Sequence, residues 1–284
     1  MKVDVAIRGL TKADIAAADE IFRSAFHTSV DRMSDLERYV ALQPDGWLFA
    51  TVQGMPVGLV GAVDYGPFAY IGMMAVRPEH QRHGIGHTLM RQLLAWLDAR
   101  GTPMALLDAS EAGAPMYVQL GFVQEDLACL FEHPHYTPAQ ARAEYVHLMQ
   151  RQDLELVADL DAPIFGAGRA SLFRILLADF PDRAFVTRDE AGQVSGYLFA
   201  QPGRLGPWVA KRRQDAEALL QSAMSLPFDA APVVIAPQMN AAAIELLERF
   251  GFQFMRSCRH MRRGGSNVPS RRALIYGQTS FAVG

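Results

Sequence analysis

The chain has 284 residues, half of them hydrophobic and a fifth charged, which is enough apolar material for two ordinary domains. A formal net charge of −3 gives no general attraction to nucleic acid or to an anionic membrane surface, so neither is expected as a partner. Two cysteines cannot build a disulfide framework, and no apolar run nears the roughly 18 residues that cross a bilayer.

The opening "MKVDVAIRGLTKAD" sets charges inside its apolar alternation and has no signal-peptide core, so a cytoplasmic protein is expected. Within it "VDVAIRGL" alternates as a strand does, and "TKADIAAADEIFRSAF" has a Thr cap, early acids and helical spacing. "WLFATVQGMPVGLVGAVDYG" reads as two strands turned through Gln53-Gly54. "AYIGMMAV" is a continuous apolar run, suited to a strand buried on both faces, and Arg77-Pro78 ends it. "HTLMRQLLAWLDARG" carries a stripe of Leu89, Leu93, Leu94 and Leu97, stopped by Gly101. "MALLDAS" then reads as a strand, "GAPMYVQLG" as a short helix and "FVQEDLACLF" as a further strand. The class is α/β, a mixed sheet with helices on its faces.

The second half repeats this plan. "VHLMQRQDLELVADLD" resembles the opening strand and helix, "RAFVTRDEAGQVSGYLFA" a hairpin, "LGPWVA" the buried strand and "QDAEALLQSAM" the helix after it. "SEAGAPMYVQLGF" (110–122) and "NAAAIELLERFGF" (240–252) keep the same spacing from a capping-type residue to Gly-Phe. Repetition at a domain's length implies two copies of one fold, residues 1–135 and 141–284, linked through "EHPHYTPAQARAE" (132–144).

Between the buried strand and the Leu-striped helix lies "VRPEHQRHGIGHTLM" (76–90). A strand, a glycine turn and a helix start gather free backbone N–H groups at the positive end of the helix dipole, which suits phosphate. A Rossmann fingerprint would need glycine where Leu89 stands, and no Gly-Lys-Ser/Thr of a Walker loop occurs. His80, His83 and His87 have the spacing of a metal set, but no Cys or carboxylate pair completes a closed site and an ion there would take the phosphate's place, so no metal is expected.

Residues 74–90, "MAVRPEHQRHGIGHTLM", resemble the GNAT superfamily of acetyl-CoA-dependent N-acetyltransferases, in which a buried strand precedes Gln/Arg-x-x-Gly-x-Gly/Ala and a helix. Gln81, Gly84 and Gly86 match that pattern, and "YVQLGF" supplies the family's Tyr before Gly-Phe, Tyr117 with Gly121 and Phe122. The resemblance covers residues 1 to about 132. The remainder looks like a degenerate second GNAT domain, marked by "GPWVA" (206–210) and the tail "IYGQTSFAVG".

This resemblance implies two tandem GNAT-like domains, acetyl-CoA as co-substrate, and acetyl transfer to an amine. In the family the edge of the strand at Met74, Ala75 and Val76 bonds the pantetheine arm. Gln81, Arg82, His83, Gly84, Ile85, Gly86, His87 and Thr88 would hold the pyrophosphate, mainly by backbone. Tyr117 would be the general acid, because a phenol stays protonated at neutral pH and can give its proton to a departing thiolate. Ser110 stands where the family more often has Asn at the cofactor, and also reads as a helix cap.

For the general base the sequence offers Asp108 and Asp64, each equally readable as a strand-end carboxylate. Asp31, Asp64 and Asp108 could attract a cationic amine. With no long acidic groove for a basic peptide, a small-molecule amine is the expected acceptor, and "AFHTSVDRM" (25–33), "VDYGPF" (63–68) and the tail would line its pocket. Cys129 and Cys258, at matching places in the two halves, read as core positions rather than nucleophiles. In the second half "KRRQDAEALL" has no glycine and Leu247 stands in Tyr117's place, so one CoA per chain is expected. The competing reading is a module that senses acyl-CoA without turnover.

Overall fold

The computed structural model describes residues 4–138, 143–265 and 270–284; residues 139–142 of the linker lie outside them. The alternating start of the chain is strand β1 (Val5–Gly9), followed by helices α1 (Ile15–Phe26) and α2 (Met33–Leu42). Strands β2 (Trp47–Val52) and β3 (Met55–Asp64) form a hairpin whose turn residues, Gln53 and Gly54, have φ of 51° and 81°, the hand that matches strand twist. The apolar run is β4 (Ala69–Val76). It leads through α3 (Ile85–Arg100) to the parallel strand β5 (Met104–Ala109), a right-sized crossover for a buried pair. Helix α4 (Ala114–Gln119) and strand β6 (Val123–Glu132) complete the half.

Ten elements then recur in the same order. They are β7 (His147–Leu148), α5 (Leu154–Phe165), α6 (Ala170–Asp179), β8 (Ala184–Arg188), β9 (Val194–Gln201) and β10 (Arg204–Ala210), then α7 (Arg213–Ala223), β11 (Val233–Pro237), α8 (Ala241–Arg249) and β12 (Gln253–Gly264). A short β13 (Ile275–Gly277) and a C-terminal segment follow. Sequence patterning did not single out α2, α6, β11, β12 or β13. The two helices are short, and the strands lack clean alternation.

The strands join in one sheet, ordered β1-β2-β3-β4-β5-β12-β6-β11-β10-β9-β8-β7, with β13 beside β10. The last strand of each half lies against the other half's sheet. Strand β12 pairs with β5 from Arg259↔Ala109 to Gly264↔Met104, and β6 pairs with β11 from Val233↔Glu132 to Pro237↔Ala128. These two exchanged strands also pair with each other, which puts the buried Cys129 and Cys258 on neighbouring strands as free thiols.

Each sheet face carries its own core. Ile71, Leu107 and Ala109 turn towards α3 and α4, packing with Leu89, Leu93 and Phe122. Tyr70 and Leu106 turn the other way, against Phe68 and, from the second half, Phe165. Ion pairs also cross between the halves: Asp35 on α2 meets Arg204 on β10 at 3.2 Å, and Arg38 meets Asp179 at 2.6 Å. Among the described residues, no helix is long and apolar enough to cross a membrane.

Candidate active site

Strands β4 and β5 pair over three residues only, Ala69–Ile71 with Ala105–Leu107. Directly beyond, β4 is bulged: Gly72 pairs with Gly61 and Ala75 with Leu59, so Met73 and Met74 together face Val60, and Met73 takes a φ of 55°. A bulge bends and twists its strand. Here it parts β4 from β5 and leaves the β5-facing edge of Met74, Ala75 and Val76 without a strand partner, an edge able to bond an extended ligand.

The glycine loop is fastened to the end of that edge. Gln81 donates from Nε2 to the Val76 carbonyl at 2.9 Å, and His83 Nδ1 lies 2.8 Å from the Gln81 carbonyl. Arg82 and Gly84 have φ of 62° and 81°, and Gly84 is the residue from which α3 begins. A Cβ on Gly84 would point into open space, so its glycine requirement comes from the dihedral and from whatever must approach the loop. The Thr88 N–H and hydroxyl both donate to the Gly84 carbonyl at 3.0 Å. The N–H groups of Ile85, Gly86 and His87 precede that first helical bond and stay available at the helix's positive end. Gly86 lies where loop, β4 and α4 converge, since a Cβ there would touch Met74, Val76 and Met116 at 3.6–3.8 Å.

Helix α4 forms the far wall. Tyr117 is buried, edge-on to Phe122 at 5.8 Å, and its hydroxyl has no hydrogen-bond partner among the described residues. Burial, with a smaller contribution from Cys258, pushes its pKa above the usual phenol value, so the proton is retained. Ser110 Oγ accepts the Gly113 N–H at 3.2 Å and so closes the turn into α4.

The two carboxylates differ. Asp64 is occupied at the strand end, accepting from Gly66 N–H and Thr102 Oγ1 at 2.9 Å and pairing with Arg100 at 3.1 Å. Asp31 caps a turn, accepting the Met33 N–H. The Asp108 side chain is fully buried, on the face opposite α3. Its Oδ2 accepts from Tyr70 at 2.7 Å and Gln278 at 2.8 Å, and its Oδ1 lies 2.9 Å from His260 Nδ1. Burial alone would raise its pKa; the bond and charge of His260, with Arg272 and Tyr70, outweigh that and hold it below the usual range. His260, on β12, and Gln278 come from the second half and escaped sequence reading, because nothing local announces that β12 crosses over. Among the described residues, no group of three or more His, Cys, Asp or Glu is placed to hold a metal.

The second half has the same bulge, with Leu205 opposite Ala200 and Trp208 opposite Leu198, and its β10 and β11 also pair only briefly. There, however, the wedge is filled by the chain itself. Strand β13 pairs Gly277 with Trp208 and Ile275 with Val209. At the start of α7, Arg212 is tied to Asp215 at 2.8 Å, and Leu247 is fully buried where the first half has Tyr117. Arg213–Glu245 and Arg249–Glu217 ion pairs link α7 to α8.

Beyond β13 the chain crosses to the first half and lies against β4. Ala282 packs directly on Gly72, where a Cβ would come within 2.2 Å of the Ala282 backbone, and Tyr65 donates to the Val283 carbonyl at 2.9 Å.

Comparison with known proteins agrees with this fold. A family model described as "Acetyltransferase (GNAT) family" matches residues 15–122, and one described as "Acetyltransferase (GNAT) domain" matches residues 157–277. The chain belongs to the GNAT acetyltransferases, as a tandem of two such domains, and is an acyltransferase by family. A solved structure described as "A Putative Acetyltransferase" from Pyrococcus horikoshii superposes with a TM-score of 0.86 at 29% identity, covering 99% of this chain and 96% of that one. A GCN5-related N-acetyltransferase from Sphaerobacter thermophilus shares the fold, with a TM-score of 0.70 at 14% identity over 94% of this chain and 98% of that one. A curated relative, "Uncharacterized N-acetyltransferase YitH" of Bacillus subtilis, is 23% identical over 150 residues, 52% of this chain. The match spans about half of that relative's length, 52%.

Proposed function

We propose that this chain transfers an acetyl group from acetyl-CoA to a primary amine of a small molecule, using the first half alone for cofactor binding. The observation that carries this reading is the parted β4–β5 pair beside the Gly84 loop. An unpaired strand edge and a helix start lie end to end, as an extended amide-bearing arm ending in a pyrophosphate requires. The residues present fit acetyl-CoA: the Met74–Val76 edge for the arm, the Gln81–Thr88 backbone with Arg82 for the phosphates. The bound thioester supplies the activated acyl group. Backbone N–H groups of the β4 edge polarise its carbonyl, and Tyr117 protonates the departing sulfur. A small acceptor is favoured because the C-terminal segment and the second half cover the face across the gap. Asp64, with its oxygens engaged, has no part in this reading, and Ser110 serves as a turn cap.

Calorimetric titration with acetyl-CoA is expected to give one site per chain, because β13 fills the second wedge. Free thiol should then appear when an amine panel is added. Two equivalent sites would overturn the assignment of the second half, and binding without thiol release from any amine would favour an acyl-CoA sensor. Gly84→Val is expected to weaken acetyl-CoA binding at least tenfold, since a branched side chain at φ 81° costs more than about 1–2 kcal/mol and intrudes on the phosphate. His83→Ala, which removes one exposed ring, should change affinity little. The reverse pattern in the same titration would refute the backbone phosphate site.

A further inference from the structure

His260 is 1% exposed, and its Nε2 is buried without a hydrogen-bond partner among the described residues. An unpaired ring nitrogen in an interior costs free energy unless something is meant to meet it. His260 lines a narrow cavity together with Tyr70, Leu106, Phe165, Gln278 and Gly284. Tyr70 and Leu106 are among the last residues paired before β4 and β5 part, and they turn away from α3. The cofactor loop and Tyr117 occupy the α3–α4 side, so a nucleophile must reach the gap from the side of this cavity.

The tautomer follows from the neighbours. Asp108 is held ionised and can only accept, so the 2.9 Å contact puts a proton on His260 Nδ1. In the neutral ring Nε2 is then the nitrogen that carries the free lone pair. Tyr70 and Gln278 hold the other carboxylate oxygen, which fixes the plane in which Asp108 aims the ring. This is a base with its orienting group, built from strands of both halves.

We infer that His260, oriented by Asp108, is the proton acceptor for the attacking amine. The inference rests on the acyl-transfer reading above. As the acceptor nitrogen forms its bond to the acyl carbon, an N–H proton passes to His260 Nε2, directly or over one water. The carbon–sulfur bond breaks, its electron pair leaves with sulfur, and Tyr117 supplies the thiol proton. Imidazolium and phenolate then reset by exchanging protons with solvent. Asp108 is a positioning residue in this scheme. The charged and titratable groups around the ring are Asp108 on β5, Tyr70 on β4, Asp126 on β6 and Arg272, the last two paired at 2.8 Å.

The test compares the full-length wild type with His260→Gln and Asp108→Asn, measuring acetyl-CoA affinity, thiol release, kcat and the KM for the amine. His260→Gln is expected to keep acetyl-CoA affinity within about twofold and to lower kcat by about 10²-fold or more, the usual size of a lost general base. Asp108→Asn, which leaves the base in place but not its orientation, should lower kcat less while acetyl-CoA affinity and the KM for the amine stay near wild type. Wild-type kcat in His260→Gln would overturn the inference while leaving acyl transfer standing. No thiol release by the wild type would instead defeat the acyl-transfer reading. In that event ¹⁵N spectra of the wild type, assigned against His260→Gln, still decide the geometry. In the neutral ring Nδ1 is expected protonated and Nε2 unprotonated, and a neutral ring carrying its proton on Nε2 would refute the proposal.

Discussion

Asp161→Ala is expected to lower the unfolding free energy by about 3–5 kcal/mol, the range found when one partner of a buried ion pair is removed. Asp161 and Arg169 are 0% and 1% exposed, and join through two bonds of 2.8 and 3.0 Å. Burial by itself would lower the arginine's pKa; Asp161 and Tyr197 reverse that and hold the guanidinium charged. Without Asp161 the cation is left in an apolar site, stacked 3.9 Å from Phe165, with few acceptors. Arg169 also donates to Thr279 Oγ1 and to a Gly284 oxygen at 3.1 Å, so the loss should loosen the C-terminal segment against β4. Urea unfolding reads the stability, and hydrogen exchange at residues 278–284 reads the segment. The pair Asp161→Leu with Arg169→Met should recover much of the loss, because apolar replacement of a buried pair is often close to neutral. A cost under about 1 kcal/mol for Asp161→Ala would contradict this account.

Tyr117→Phe is expected to lower kcat by about 10²-fold while acetyl-CoA affinity and thermal stability barely change. The ring packs edge-on against Phe122, and phenylalanine keeps that contact. The hydroxyl has no partner among the described residues, so its removal strands no other buried group there. Because burial raises the phenol's pKa, the acid form persists to alkaline pH, and loss of activity at high pH should not trace to Tyr117. Steady-state kinetics with the preferred amine check this, and unchanged turnover in the mutant would remove Tyr117 from the reaction.

Much of the candidate site on the proposed cofactor side was legible locally. Strand β4 begins and ends where "AYIGMMAV" does, and Gly84 stands at the start of α3, because continuous burial and a left-handed cap both leave a mark in a few adjacent residues. Tyr117 was found by its distance from Gly-Phe, and that spacing is a turn of helix followed by a tight cap. The acceptor side was not legible. Asp108 reads in isolation as a strand-end carboxylate, and what makes it more are Tyr70, Gln278 and His260, residues brought to it by pairing across the sheet. His260 stands in "CRHMRRG", a basic stretch that suggests surface, yet β5 and β6 cover it on both sides. The bulge at Met73 was equally silent, since methionine gives no hint of a φ of 55°.

The exchange of β6 and β12 also fixes an order of events during synthesis. When residues up to Glu132 have left the ribosome, the edge of β5 has no neighbour, because the strand that covers it ends at Gly264 and has yet to be made. Strand β6 is likewise without either partner until β11 and β12 exist. Such distant pairings raise contact order and slow folding, since chain entropy is lost before the contacts that reward it can form. The nascent first half therefore carries a bare, apolar strand edge beside the gap between β4 and β5, a site for mispairing with other chains. His260 arrives on that same late strand. A truncated chain thus has neither a closed sheet nor the base proposed for the reaction.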